Sequence, residues 1–250
     1  AIVENSQQAF YAAGADMKAD VTMELITGDG KQRTRALTML RLNGALRAMN
    51  TPGGMEQKYF LYFKEPSDVR RMTFLVWKYP DKEDDRWIYI PAVDLVRRVA
   101  ASDKRSSFVG SDFSYEDISG RDISADTHKL LREEKLGGND CYVMESVPKE
   151  TLDYVRRIAW IDKTFFLPLN EEYYDVRNEL ARVFTADKIE MVAPDGGSGA
   201  IPTVTKRTMR NVKSGHRTEV TFKSVSFNVG LTDDIFTERY LRQPPSKWAP

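Results

Sequence analysis

Residues 21–30 read VTMELITGDG, and this stretch decides the fold class. Val21, Met23 and Leu25 alternate with polar residues, and a period of two predicts a β-strand with one buried face. The Gly-Asp-Gly run at 28–30 ends the alternation and is typical of a hairpin turn. We therefore expect these three apolar side chains to share one buried face of a sheet.

The same pattern recurs along the rest of the chain, separated by turn residues such as Asn43-Gly44 and Thr51-Pro52-Gly53-Gly54. Further strands are predicted at Thr34–Leu42, Lys58–Phe63, Met72–Tyr79, Arg86–Ile90, Leu95–Val99, His128–Glu134, Cys141–Val147, Tyr154–Asp162, Pro168–Tyr174, Ala181–Glu190, Ile201–Asn211 and Arg217–Val225. The pattern indicates a largely antiparallel sheet that curls or closes, because so many strands do not stay flat. No internal repeat or linker divides residues 1–250, so a single domain is expected.

Three segments interrupt the strand pattern. Glu4–Gly14 is predicted to be a short helix, and Asp233–Leu241 another, with Thr232 as its N-cap. Ser102–Ile118 is polar, contains glycine and is too long for an ordinary hairpin loop. Its aromatic residues are Phe108, Phe113 and Tyr115, and we expect this segment to fold back over the sheet with the two phenylalanines as apolar anchors.

Charge and composition exclude several classes of protein. The 37 basic residues equal the 37 acidic residues in number, which argues against a nucleic-acid protein and against a polybasic membrane binder. Apolar runs such as Tyr59–Phe63 are too short to cross a bilayer. The single cysteine, Cys141, excludes an intramolecular disulfide. The chain starts at Ala1 without a methionine, which fits a mature protein after removal of a signal peptide, although a shortened chain would look the same.

No catalytic, metal or cofactor site is predicted. His128 and His216 are the only histidines, and both are expected at the surface. There is no Gly-x-Ser-x-Gly motif for a serine nucleophile, no zinc-ligand spacing and no calcium loop.

Aromatic and methionine residues are the strongest chemical feature of the strands. A curved sheet gathers one face on its concave side, and that face becomes an apolar ligand cavity unless its own side chains fill it. The alternative of an ordinary, self-filled core remains open. Phe60 and Tyr62 are expected to share a face other than that of Met23. The candidates for the cavity lining are Met23, Leu25, Phe60, Tyr62, Phe74, Trp87, Tyr89, Trp160 and Phe222.

Four parts of the chain resemble the LolA-like outer membrane lipoprotein-sorting protein family. The most specific is SSFVGSDFSYED at 106–117. The others are RWIYIP at 86–91, FLPL at 166–169 with EYYD at 172–175, and FTERYL at 236–241. Together they span nearly the whole chain.

The resemblance implies a mainly β fold, in which a single curved antiparallel sheet forms an unclosed β-barrel. Short helical or loop segments at about 4–14, 102–118 and 233–241 would cover its concave apolar face. The implied role is non-enzymatic: acyl chains of lipids or lipoproteins are shielded in the periplasm of Gram-negative bacteria, in lipoprotein sorting or envelope lipid transport. The implied partners are an outer-membrane acceptor or an exporter of the resistance-nodulation-division type. The alternatives are an adaptor of such an exporter with a self-filled core and, less favoured, a lipid hydrolase.

Overall fold

Thirteen β-strands form the body of the described part of the protein, and each overlaps one of the strands predicted from the sequence. The computed structural model describes residues 1–44, 56–80, 82–197 and 199–249, and the predicted turn at 51–54 lies outside them. The strands are β1 (Asp16–Ile26), β2 (Gln32–Asn43), β3 (Gln57–Glu65), β4 (Thr73–Lys78), β5 (Asp85–Ile90), β6 (Leu95–Arg98), β7 (Asp126–Leu136), β8 (Asn139–Pro148), β9 (Arg156–Asp162), β10 (Pro168–Tyr174), β11 (Leu180–Val192), β12 (Ile201–Asn211) and β13 (Arg217–Phe227).

The helices are few and short within the described residues: α1 (Ile2–Tyr11), α2 (Tyr115–Ser119) and α3 (Arg239–Arg242). The chain leaves α1 through Gly14, whose φ of +73° places it in the left-handed region. A Cβ there would lie 3.0 Å from the Phe227 ring. Both the backbone conformation and this close contact therefore disfavour a residue larger than glycine. Thr232 precedes a single 3₁₀ turn, and its side chain makes no capping hydrogen bond.

All thirteen strands belong to one antiparallel sheet in the order β6-β5-β4-β3-β2-β1-β13-β12-β11-β10-β9-β8-β7. Two meanders therefore meet where β1 pairs with β13, and β6 and β7 are the two edges. The connection between the edges, residues 99–125, has to return from one side of the sheet to the other. It does so across one face, which positions the long aromatic segment as a cover.

The sheet is strongly curved and does not close. Ile88 on β5 and Tyr173 on β10 belong to one hydrophobic cluster, although eight strand spacings separate them. On a flat sheet that separation would be about 38 Å, at roughly 4.8 Å per strand. The unclosed antiparallel sheet implied by the resemblance is confirmed.

We call the side that faces this cluster the inner face. Val21, Met23 and Leu25 are buried there, as their alternation predicts. The inner face is covered by α1 and by residues 101–119, which we call the cover loop.

The opposite, outer face of β2–β5 has its own cluster, built around Phe60, Trp87 and Tyr89 and covered by residues 229–249. The indole of Trp77 donates to the carbonyl of Phe236 at 2.7 Å. The segment 233–241 therefore lies on the outer face and not over the concave face. The physical reason is that residues 59–63 are apolar at every position, so both faces of β3 need a cover.

Candidate functional site

The cover loop is held to the sheet by buried aromatic rings, as the sequence predicts. Phe108 is fully buried, and its ring centroid lies 5.1 Å from that of Phe74 and 5.9 Å from that of Phe63. Phe113 and Tyr115 are buried in the same cluster. Such tilted and edge-on contacts add specific geometry to the burial of apolar area.

A capping box rigidifies the end of the cover loop and starts α2. The backbone N–H of Asp117 donates to the Ser114 hydroxyl at 3.2 Å, and the N–H of Ser114 donates to the Asp117 carboxylate at 2.7 Å. Both donors belong to the free amides of the helix start, which need partners. The carboxylate of Asp117 is thereby fixed in place.

Asp117 also neutralises two arginines beneath the loop. Its carboxylate lies 3.3 Å from Nη1 of Arg105 and 3.1 Å from Nη2 of Arg182 on β11. Burial by itself would raise the pKa of Asp117, but Arg182 and Arg105 outweigh this effect, and the pKa lies well below its usual range. Asp117 is therefore charged at neutral pH and ties the cover loop to the second half of the sheet.

The inner face is polar where β9 to β11 cross it. Arg157 donates to Glu171 at 3.2 Å, and the Tyr173 hydroxyl donates to the same carboxylate at 2.7 Å. The expected apolar concave face is thus only partly apolar. On β9 to β11 the buried arginines Arg157 and Arg182 pair with carboxylates, as is usual for buried charges.

The helix α1 lies across the inner face, with its C-terminal end held by side chains of β2 and β3. Asn43 donates to the carbonyls of Ala12 and Gly14, at 3.0 and 2.7 Å. Gln57 donates to the carbonyl of Tyr11 at 2.8 Å. Apart from Ser6, the residues of α1 are not fully buried. The helix therefore resembles a lid. Its C-terminal end is held by hydrogen bonds, and Ile2 and Val3 at its N-terminal end pack against Met144, Ala159 and Ile161.

Two cavities of about 50 Å³ each lie beneath α1. Phe10, Tyr11 and Arg207 line both of them, so these three residues form a wall between two spaces. The first cavity is also lined by Phe113, Ser146 and Met209, and the second by Met39, Tyr59 and Phe222.

Arg207 on β12 is held in this wall by aromatic rings. The centre of its guanidinium lies 4.7 Å from the ring centroid of Phe222, 5.3 Å from Phe10 and 5.7 Å from Phe113. Its Nε is buried and has no hydrogen-bond partner among the described residues. Burial lowers the pKa of Arg207, and the nearby Tyr11 and Asp117 offset this only in part.

The predicted lining residues divide between the two faces. Met23, Leu25, Phe74 and Phe222 lie in or against the inner-face cluster, and of these Phe222 lines a cavity beneath α1. The outer-face cluster contains Phe60, Tyr62, Trp87 and Tyr89. These four cannot line one cavity with Met23, because neighbouring residues of a strand point to opposite faces.

Trp160 is also separated from the inner-face cluster. Its indole N–H donates to Glu134 on the edge strand β7, whereas its neighbours Ala159 and Ile161 face the first cavity. The alternation of β9 places Trp160 on the other side.

Sequence reasoning missed Phe10, Tyr11 and Arg207. In the structure Arg207 shares the register of Thr205 and Met209 on β12, which are both buried. A charged side chain on the buried face of a strand indicates a polar site within the core.

The two histidines are half-buried and hydrogen-bonded, which differs from the surface positions expected. His128 contacts the Ser146 hydroxyl at 2.8 Å and the Ile123 carbonyl at 2.7 Å, and His216 contacts Asp112 at 2.6 Å. In the described part of the chain, no cluster of three or more acidic, histidine or cysteine residues has a geometry that would hold a metal ion. No described helix combines the length and apolar character needed to cross a membrane.

Comparison with known proteins identifies the family. A family model with the description "Uncharacterized protein" matches residues 55–243. A DUF1329 family protein from Desulfovibrio piger is 30% identical, with 96% of this chain and 95% of that chain covered and a TM-score of 0.83. The chain belongs to the DUF1329 family.

Two further solved structures resemble this DUF1329 protein. One is described as an outer membrane lipoprotein-sorting protein domain from Vibrio parahaemolyticus: it is 26% identical over 97% of both chains, with a TM-score of 0.84. A LolA superfamily protein from Nitrosomonas europaea shares the fold at 18% identity, with a TM-score of 0.69 over 96% of this chain and 97% of that chain. The resemblance found in the sequence is confirmed. No curated protein matches the DUF1329 chain.

Proposed function

We propose that this DUF1329 protein binds an acyl chain of a lipid or lipoprotein between α1 and the inner face of the sheet, in the periplasm of a Gram-negative cell, without catalysing a reaction. The observation that carries the proposal is the pair of cavities beneath α1, with Phe10 and Tyr11 in the wall between them. The likeness to a lipoprotein-sorting domain supports it.

Binding requires α1 to move. Ligand pockets usually measure roughly 300–1,000 Å³, and each cavity measures about 50 Å³. Displacing Phe10 and Tyr11 together with α1 would join the two spaces and expose the inner face. Each methylene group of the acyl chain that then leaves water contributes about 0.8 kcal/mol. Burial of several methylene groups therefore compensates for the lost packing of α1.

The attachment of α1 fits such a movement. Its C-terminal end is fixed by Asn43 and Gln57, whereas Gln7 makes one long hydrogen bond of 3.3 Å to the carbonyl of Arg121.

The first experiment is native mass spectrometry of the purified protein, followed by stopped-flow binding of a fluorescent fatty acid. We expect a bound lipid or a saturable one-to-one complex. Phe10→Ala removes the edge-on contact of Phe10 with Phe184, whose centroids lie 5.8 Å apart. Uptake should be about fivefold faster, since roughly 1 kcal/mol of lid packing is lost.

The matched control is Phe165→Ala, because Phe165 is exposed on the turn between β9 and β10. It should leave uptake unchanged. Equal uptake rates for Phe10→Ala and the parent protein would contradict the lid, and the absence of any bound or bindable acyl ligand would contradict the function.

A second candidate is an adaptor of an exporter of the resistance-nodulation-division type. The small size of both cavities favours it, because the interior is then filled by the protein's own side chains. It predicts that no acyl ligand binds, and the same titration decides between the two.

A further inference from the structure

Arg207 makes no ion pair with a described residue and lies between the two cavities beneath α1. The guanidinium lines both cavities. Arg157 and Arg182 of the inner face pair with the carboxylates of Glu171 and Asp117. Arg41, which lines only the second cavity, donates to the carbonyl of Ala13. The guanidinium of Arg207 lies against three aromatic rings, makes no ion pair with a described residue, and has an Nε without a hydrogen-bond partner among the described residues.

Such an arrangement is costly for the protein alone. A buried charge is normally paired, because taking it out of water is unfavourable. Contacts with the faces of three rings repay part of this cost. A guanidinium presents a planar fork of N–H donors that fits a carboxylate bidentately, and the unused donors of Arg207 are in place for such a partner.

We propose that Arg207 binds the carboxylate of a fatty acid, whose hydrocarbon chain occupies the space opened beneath α1. This inference rests on the proposed function and specifies its ligand as a single-chain lipid with one negative charge. The ring of Phe222 beside the guanidinium contacts the first methylenes of the chain.

The surroundings favour one negative charge over more. Tyr11, Asp117 and Tyr59 act on the charge of Arg207. The other charged residues that line the two cavities are Arg157 and Glu171, which pair with each other, and Arg41. Burial raises the pKa of Tyr59 to about 12, so its hydroxyl is neutral at neutral pH. Asp117 is already engaged with Arg105 and Arg182, so it leaves the charge of Arg207 available to a ligand.

The test compares myristate with its methyl ester, which has the same chain but no charge, by displacement of a fluorescent fatty acid at about pH 8. The parent protein should bind myristate at least about tenfold more tightly than the ester, the size expected for a charge-assisted pair. Arg207→Met should lose this preference and keep its affinity for the ester, because Met retains contact with the aromatic rings.

Arg210→Met is the matched control, since Arg210 lies on the same strand and is exposed. It should retain the preference for myristate. Circular dichroism checks that the variants fold, and Arg207→Gln replaces Arg207→Met if the latter does not.

The outcomes separate the two proposals. If the parent protein binds acid and ester equally, or if Arg207→Met and the parent show the same preference, the role of Arg207 is wrong while acyl binding stands. If the parent binds neither, the proposed function is itself wrong.

Discussion

Asp117 at the end of the cover loop accepts a hydrogen bond from Arg182 on β11 at 3.1 Å, across 65 residues of sequence. The contact joins the connection between the two sheet edges to the middle of the second meander. Arg105, within the cover loop itself, contacts the other oxygen of Asp117 at 3.3 Å. The carboxylate therefore fixes the loop that covers the inner face.

Asp117→Asn should lower the free energy of unfolding by about 3–5 kcal/mol at neutral pH. Arg182 then loses its carboxylate partner, and Arg105 keeps only Glu116 and Asp153. Chemical denaturation measures this value. Asp153→Asn is the control: Asp153 also pairs with Arg105 but is half-exposed, and loss of a surface pair costs about 0–1 kcal/mol. Equal effects of the two substitutions would show that Asp117 has no special role.

The ionised Asp117 carboxylate also determines how the free energy of unfolding changes at acid pH. The pKa of Asp117 is lowered in the folded protein, so its contribution is present above the unfolded pKa of about 3.9 and is lost as the pH falls toward the folded value. The difference in stability between the parent protein and Asp117→Asn should therefore narrow below about pH 4.

The strands could be predicted from sequence because each has a period of two or a continuous apolar run between turns. The faces of β3 could not, since residues 59–63 are apolar at every position and the outer-face cover is more than 160 residues away. The location of the cover loop followed from its aromatic content and from the family resemblance. Its partners Asp153 and Arg182 could not be predicted, because ion pairs between distant segments have no local pattern.

The cavity lining shows the same limit. Phe222 was predicted as a lining residue, because it is an aromatic residue within a predicted strand. Arg207 was not, because its significance depends on the register of β12 and on the missing partner of its Nε, both of which need the three-dimensional arrangement.

Buried tyrosines predict a loss of stability in alkali. Burial raises the pKa of Tyr59 and of Tyr154 to about 12. Since the folded value exceeds the unfolded value of about 10, their contribution is complete below about pH 10 and is lost as the pH rises toward 12. Each tyrosine accounts for roughly 3 kcal/mol of this loss.

Ultraviolet absorbance during alkaline titration should show that some tyrosines ionise only well above pH 10. The free energy of unfolding, measured by chemical denaturation, should be lower near pH 11 than near pH 8. Tyr59→Phe loses the hydrogen bonds of its hydroxyl to Gln57 and to the Tyr11 carbonyl, at about 1 kcal/mol near neutral pH. It should be less sensitive to alkali than the parent protein. A single absorbance step near pH 10 for all tyrosines would show that Tyr59 and Tyr154 are not shielded.

Asp16 at the start of β1 should control the attachment of the outer-face cover. Its carboxylate accepts backbone N–H groups of Val229, Gly230 and Leu231 at 2.7, 2.9 and 2.9 Å. Asp16→Asn replaces an acceptor oxygen with an NH₂ group that faces an N–H donor, and hydrogen bonds to charged groups contribute about 1.5–3 kcal/mol each. We expect a loss of roughly 3 kcal/mol in the free energy of unfolding.

The segment 229–249 then detaches more readily from Trp77 and Trp87, which it covers. Tryptophan fluorescence should shift to longer wavelength at denaturant concentrations below the main transition, and limited proteolysis should cut within 229–249 first. Asp234→Asn is the control, because Asp234 lies in the same segment and its side chain is exposed; it should change neither measurement. A single cooperative transition for Asp16→Asn, with proteolysis unchanged from the parent protein, would show that the outer-face cover is held by its apolar contacts alone. The binding of fatty acid beneath α1 should in either case be unaffected, because Asp16 anchors the cover of the opposite face.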